Sequence, residues 1–262
     1  MLLLCCYTAQ AQTTESAPLI PISIIIDDMG DRQQHGLRAL DLPGNITYSF
    51  IPHTTYSHSL AIAAHQMGKE VMIHIPMESE SGKKLGPGGL LLEMEEPEFK
   101  QTLKAAIEAI PHAKGVNNHM GSLLTRQPRQ MQWLMDILHK NSRLYFIDSR
   151  TTAKTVALQL AQKNHIPSRE RDIFLDNDPS PTAIAQQFQR LVEHAKKMGS
   201  AIAIGHPYDT TLSQLEQQLP QLKALGLELV PVSELLNSAQ KLKQAQSNTK
   251  RLHITSGHPS RQ

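Results

Sequence analysis

Residues 24–30 read Ile-Ile-Ile-Asp-Asp-Met-Gly, a β-branched apolar run that ends in two adjacent carboxylates, Asp27 and Asp28. Polar groups of the same kind close or interrupt later apolar runs. His74 lies in VMIHIPME, His119 in KGVNNHMGS and His206 in AIAIGHP, Asp148 and Arg150 close RLYFIDSR, and Asp172 and Asp176 flank IFL. One Asp with two His is a donor set for a divalent cation, suited to Zn²⁺, that leaves a position open for water or substrate. A cation held there acidifies a water, and a carboxylate beside the ligating one can take the proton. Two adjacent acids therefore allow one ligand and one base.

Each of these residues also has an ordinary use. An Asp pair at a strand end can cap a helix, and His74 between apolar neighbours can be a hydrogen-bonded core histidine. Asn117 and Asn118, ahead of His119, can form a turn. Asp148 and Arg150 can make an ion pair, His206 before Pro207 can sit in a loop, and Asp172 and Asp176, beside Arg169 and Arg171, read as a surface charge network. What favours chemistry is the shared address. In parallel α/β folds the C-terminal ends of the strands gather on one face, so residues scattered along the chain can converge there.

The elements that must position them follow from the hydrophobic pattern. The runs PISIIID, ITYSFI, VMIHIP, KGVNNHM, RLYFID, IPSRERDIFLD, AIAIGHP and LELVPV read as strands. Between them SHSLAIAAHQMGKE, EPEFKQTLKAAIEAI, PRQMQWLMDILHKN, TTAKTVALQLAQKNH and SPTAIAQQFQRLVEHAKKMGS carry apolar residues at three- and four-residue spacing, as amphipathic helices do. Strands that are apolar throughout, alternating with helices, predict a parallel sheet covered by helices: an α/β fold, closed or nearly closed as a distorted (β/α) barrel of about seven parallel strands.

At 262 residues the chain can bury one substantial core, and 40% apolar with 19% charged residues is a globular balance. A formal net charge of +2 argues for no nucleic-acid partner. The start, MLLLCCYTAQAQTTESAP, pairs a short apolar stretch with Ala9-Gln10-Ala11, a small-x-small cleavage pattern, so residues 1–20 read as a signal peptide and exported linker. Both cysteines, Cys5 and Cys6, fall in it, and a cleaved product has no thiol. The domain is expected over 21–236 and a polar, disordered tail over 237–262. No later apolar run approaches the roughly 20 residues of a membrane helix.

Taken in order, IIIDDMG, HIPME, GVNNHMGS, YFIDSRT, RDIFLD and AIAIGHP resemble the divergent polysaccharide deacetylases, a branch of the NodB-type carbohydrate esterases usually exported by bacteria. The resemblance covers about Pro21 to Leu236. It implies a distorted (β/α) barrel and metal-dependent removal of acetyl from an N-acetylated sugar. It assigns Asp27 as the general base and Asp28 as a metal ligand. The usual second motif holds two histidines four residues apart; here His74 is matched and the position four later is Glu78. The resemblance therefore gives His119 as the third ligand, with Glu78 as the alternative. His206 matches the histidine that protonates the leaving amine, Asp148 is its expected orienting carboxylate, and Arg150 would steady Asp27 or bind a substrate carboxylate. Glu78, Arg150 and Asn118 make up the expected substrate-binding or orienting group.

The substrate this implies is an N-acetylated glycan of the cell envelope, possible sources including peptidoglycan, and the location is the periplasm of a Gram-negative bacterium. The competing reading keeps the site and drops the catalysis: an envelope protein that binds glycan or a protein partner through the same residues. Retention of Asp27 beside Asp28 favours the enzyme, because a binding site needs no base. Only 4% of the chain is aromatic, and its one tryptophan, Trp133, lies in a helical segment expected to face the core, which argues against a long polysaccharide groove. The Gly-rich loop SESGKKLGPGGLLLE is long enough to cover the site or to serve as a plain connection.

Overall fold

The computed structural model describes residues 18–141 and 143–238. Its strands are β1 (Ile20–Met29), β2 (Thr47–Phe50), β3 (Glu70–Met77), β4 (Gly115–Met120), β5 (Tyr145–Asp148), β6 (Ser168–Glu170), β7 (Ile173–Phe174), β8 (Ala201–Gly205) and β9 (Leu227–Leu229). The helices are α1 (Gln33–Leu40), α2 (Ser57–Gln66), α3 (Glu96–Ala109), α4 (Pro128–Lys140), α5 (Ala157–Lys163), α6 (Pro181–Met198) and α7 (Asp209–Gln218). All but short stretches of the expected leader and tail lie outside the described residues.

Among the described residues every strand pairing is parallel. The order is β6-β5-β4-β3-β2-β1-β8-β7, with β9 added on β1. The two ends of this order are consecutive in the chain: Arg171 donates its backbone N–H to Asp148 on β5, and Asp172 donates to Ile202 on β8, so one short segment spans the gap and draws the sheet into a distorted barrel. Nine strands appear among the described residues where about seven were expected. The run IPSRERDIFLD splits into β6 and β7 because it changes partner strand midway.

The strands are apolar on both faces, but their side chains still alternate with a period of two. Ile24, Ile26, Ile73, Ile75 and Val116 belong to the outer core, shared with Leu103, Leu134 and Leu191 of the helices. Ile25, Met72, Tyr145, Ile147, Ile202 and Ile204 fill the barrel interior, closed from below by Val230, Val232, Leu235 and Leu236. Gly115 makes room in that interior, since a Cβ there would lie 2.1 Å from the Tyr145 ring. Near the closed end the buried Glu70 accepts hydrogen bonds from Thr47 Oγ1 (3.1 Å), Tyr145 OH (2.9 Å), the Ser233 backbone N–H (3.1 Å) and Ser233 Oγ.

Local signals explain the helices that were legible. For α6, Ser180 caps the N-terminus by accepting from the Ala183 N–H, Pro181 supplies a preset first-turn φ, and Gly199 ends the helix at φ 81°. Trp133 is buried edge-on against Phe99, as expected of a core position. The helices α1 and α7 were not expected. In α7 only Thr211, Leu212 and Leu215 are buried, and α1 carries Gly36, a poor helix former that allows the close approach of Leu60. The Gly-rich loop is fastened to the end of β3: Leu90 exchanges hydrogen bonds with Pro76 (2.8 Å) and Glu78 (3.0 Å), and Glu80 is held by Ser122 (3.0 Å). No helix among the described residues is long and apolar enough to cross a membrane.

Candidate metal centre

The inward alternation that makes the apolar interior continues one step further at the open end. Two residues after Ile25 comes Asp27, after Met72 comes His74, after Ile204 comes His206, and the series Gly115, Asn117, His119 climbs the same face of β4. Asp28 should point the other way. It does not, because β1 carries a bulge: Ile26 pairs with Tyr48 and Met29 with Phe50, leaving Asp27 and Asp28 opposite one residue. Asp28 takes φ 55°, a left-handed conformation that costs on the order of 1–2 kcal/mol. Met120 (53°) and Arg150 (51°), at the ends of β4 and β5, share it. Strain of this kind persists where the surrounding structure enforces it, and functional sites are common among such places.

Asp28, His74 and His119 come together with one donor atom each, all within 4.8 Å. His119 Nδ1 lies 2.8 Å and His74 Nε2 3.2 Å from Asp28 Oδ1, and the two ring nitrogens are 3.2 Å apart. Asp28 Oδ1 is nevertheless buried without a hydrogen-bond partner. A carboxylate oxygen left in that position by two converging imidazole nitrogens is what a cation would satisfy, and the donor set fits a divalent ion.

The protein also fixes which nitrogen of His74 is presented. Asn117 Oδ1 accepts from Ser49 Oγ and from His74 Nδ1, each at 2.7 Å, while its Nδ2 donates to Asp27 Oδ1 at 2.8 Å. These three contacts set the amide orientation, place the His74 proton on Nδ1 and leave Nε2 with its lone pair toward Asp28. With no cation, burial disfavours a charged His74, but Asp27 and Asp28 outweigh it and raise its pKa. Burial likewise works against ionising Asp28, yet the close imidazoles of His119 and His74 hold its carboxyl well below the usual range. A proton and a cation thus compete for the same atoms.

Asp27 is different. It is 2% exposed, its Oδ2 is 3.6 Å from His74 Nε2, and its Oδ1 is held by Asn117. Burial pushes its carboxyl up, against the lowering influence of His74, His206 and Asn117, and the Asp28 charge adds to the rise. Across the mouth, His206 Nε2 lies 3.8 Å from Asp28 Oδ2. Its ring sits between the edge of Phe174 and the stacked ring of Tyr208, with centroids 5.5 and 5.4 Å away. Burial lowers the His206 pKa, but the hydrogen bond and charge of Asp176, helped by Asp28 and Asp27, push it up to about 9.

Several expected placements are corrected. The carboxylate that orients His206 is Asp176, whose Oδ1 meets His206 Nδ1 at 2.9 Å and whose Oδ2 accepts from the His206 backbone N–H at 2.6 Å. Asp148 instead shapes the turn after β5, accepting from the Arg150 N–H and Thr155 Oγ1, both at 2.8 Å. The reason is topological: β8 neighbours β7, and β5 lies elsewhere in the sheet. Asp176 is therefore no surface charge; its side chain is fully buried. Glu78 turns away from the ligands to accept the Leu92 N–H at 2.6 Å, leaving His119 as the third member of the cluster. Asn118 ties β4 to β5, donating to the Met120 carbonyl (2.7 Å) and accepting the Ser149 N–H (2.9 Å). Arg150 pairs with Glu170 at 3.4 Å rather than with Asp27. The sequence reading gave Asn117 to a turn and Asp176, beside Arg171, to a surface charge network, although Asp176 follows the same rule as Asp27, an acid just beyond an apolar run.

Residues 24–236 match the family model described as divergent polysaccharide deacetylase. The uncharacterized protein YibQ of Escherichia coli strain K12 is 36% identical over 227 residues, covering 86% of this chain and 70% of that one. The crystal structure of uncharacterized protein Atu2773 from Agrobacterium tumefaciens C58 superposes with a TM-score of 0.80 at 23% identity, covering 86% of this chain and 92% of that one. A CE4 family pseudoenzyme from Bacillus anthracis, BA3943, shares the fold at a TM-score of 0.53 and 14% identity, over 83% of this chain and 66% of that one. The chain belongs to the divergent polysaccharide deacetylase family.

Proposed function

We propose that this protein is a metal-dependent hydrolase that removes acetyl from an N-acetylated glycan of the cell envelope. Asp28, His74 and His119 would hold the ion, and Zn²⁺ is the one their donor types favour. Such an ion would polarise the acetyl carbonyl and lower the pKa of a water. Asp27 takes the proton of the attacking water on Oδ2, the oxygen that Asn117 leaves free. His206, whose pKa the buried Asp176 raises, gives a proton from Nε2 to the departing amine nitrogen as acetate leaves. Asp176 holds Nδ1 and so keeps Nε2 directed at the mouth.

The observation that carries this reading is that a buried carboxylate, Asp27, stands beside a complete ligand set without belonging to it. A binding site has no use for such a group, and its raised pKa suits it to accept a proton. The leader pattern around Ala9 and Ala11 supports action outside the cytoplasm, in the periplasm, with envelope glycan, including peptidoglycan-derived fragments, as the substrate.

The test is acetate release from N-acetylated cell-wall fragments and chitooligosaccharides by Zn²⁺-loaded protein, with Asp27→Asn alongside. Wild type should release acetate, and Asp27→Asn should keep its metal while losing about 10²-fold or more in rate. No release from any substrate by the metal-loaded wild type would overturn the proposal in favour of a glycan-binding or partner-binding role.

A further inference from the structure

The cavity that contains Asp27, His74, His119 and His206 has a volume of about 410 Å³, within the range of small-molecule sites. One wall of it is basic. Arg150 and Arg171 both line it, and neither is needed for the proton transfers described above. Their neighbour Arg169 is neutralised by Asp172 at 3.1 Å, and Arg150 has Glu170 at 3.4 Å. Arg171 has no ion-pair partner among the described residues.

Arg171 is nonetheless held rigidly. Its Nε donates to the Ser149 carbonyl at 2.8 Å and its Nη2 to the Arg150 carbonyl at 3.0 Å, while its guanidinium lies 4.8 Å over the Phe174 ring. Nη1 has no acceptor among the described residues. Partial burial pushes the guanidinium below its ordinary pKa and Arg150 adds to this, with Asp27, Asp148 and Asp172 pulling the other way. A cation fixed by two backbone carbonyls, stacked on a ring, short of an anion and facing the reaction cavity is a preorganised anion receptor. Because Asp27 shares the cavity, a singly charged group is accommodated better than a doubly charged phosphate.

Building on the deacetylase reading, we infer that Arg171, assisted by Arg150, binds a carboxylate on the substrate, so that the preferred substrate is an N-acetylated amino sugar carrying an acidic substituent. Neutral N-acetylglucosamine chains leave Arg171 without a partner. The same chemistry could serve released acetate, and the two sources are separable.

The test is calorimetric binding to the full-length, Zn²⁺-loaded Asp27→Asn protein, which cannot consume the probe. The probes are N-acetylmuramic acid, its carboxamide and sodium acetate. The acid should bind about tenfold to a hundredfold more tightly than the carboxamide, the range of a hydrogen bond to a charged group. Adding Arg171→Gln should abolish the difference while leaving carboxamide binding in place. Equal affinities for acid and carboxamide overturn the inference, and that comparison needs no change at Arg171, so a folding defect in Arg171→Gln cannot shield it. A preference that survives Arg171→Gln belongs to Arg150 or to the metal ion and overturns it too. Arg171-dependent acetate binding without acid-over-carboxamide preference assigns the residue to the product instead, which also overturns it. None of these readouts depends on acetate release, so failure here and failure of the deacetylase reading are distinct results.

Discussion

Asp176→Asn removes one negative charge and one of two acceptor oxygens from the pocket behind His206. In the native chain Asp176 Oδ1 receives His206 Nδ1 at 2.9 Å, and Oδ2 receives both the His206 backbone N–H at 2.6 Å and Thr211 Oγ1 at 2.8 Å. Gly205 permits that approach, since a Cβ there would stand 3.3 Å from Oδ2. Burial alone would hold His206 below its ordinary value of 6.5; it reaches about 9 because Asp176, and then Asp28 and Asp27, outweigh burial. The gap between 6.5 and about 9 corresponds to about 3 kcal/mol favouring the protonated ring. With Asp176 neutral, the strongest upward influence is gone, and His206 should titrate near or below 6.5.

The assay is NMR titration of the imidazole Cε1–H in chelator-treated protein from about pH 5 to 10, covering both values. Chelation matters because a cation at Asp28 would itself lower the His206 pKa. The sign for stability follows by linkage. A histidine whose pKa is raised in the folded state stabilises fully below its unfolded pKa, and the effect fades as pH rises through the folded one. Metal-free wild type should therefore lose up to about 3 kcal/mol between roughly pH 6.5 and 9 from this group, and Asp176→Asn should be flat by comparison over that window. The variant should also start lower by about 1–3 kcal/mol, because one amide oxygen cannot serve three buried donors. If His206 titrates near 9 in Asp176→Asn, or near 6.5 in wild type, Asp176 is not the group that sets its charge.

Other consequences of the arrangement can be checked as directly. Asn117→Ala should weaken Zn²⁺ binding about tenfold to a hundredfold in a chromophoric chelator competition, since Asn117 sets the tautomer of His74 without touching the ion. Glu78→Ala should leave metal stoichiometry unchanged by elemental analysis, because that carboxylate is spent on the Leu92 N–H, whereas His119→Ala should lower it. Glu70→Ala should cost about 3 kcal/mol in urea unfolding, because it strands the donors of Thr47, Tyr145 and Ser233 inside the barrel.

How far the chain could be read before its structure was known depends on whether the signal is local. The strands around Ile24, Ile73 and Ile202 and the capped helix Pro181–Met198 announce themselves through apolar runs and terminal residues that act within a few positions. The rule that acids and histidines at strand ends share one face brought Asp27, His74, His119 and His206 together correctly, since it needs only that the sheet be parallel. It could not choose between Asp148 and Asp176 as the partner of His206, because that choice depends on which strand lies beside Ala201–Gly205. The short pairing Ile173–Phe174 decides it, and the sequence merges those two residues with Ser168–Glu170 into one run, hiding the change of partner strand. Asn117 escaped notice for a related reason. Beside Asn118 and ahead of a histidine it looks like turn chemistry, but the period of two points Asn117 into the barrel and leaves Asn118 to brace the neighbouring strand. The same alternation would have sent Asp28 to the wrong face. The bulge and the left-handed backbone at Asp28 reverse that, so the ligand and the base stand side by side only because the chain departs from regular strand geometry there.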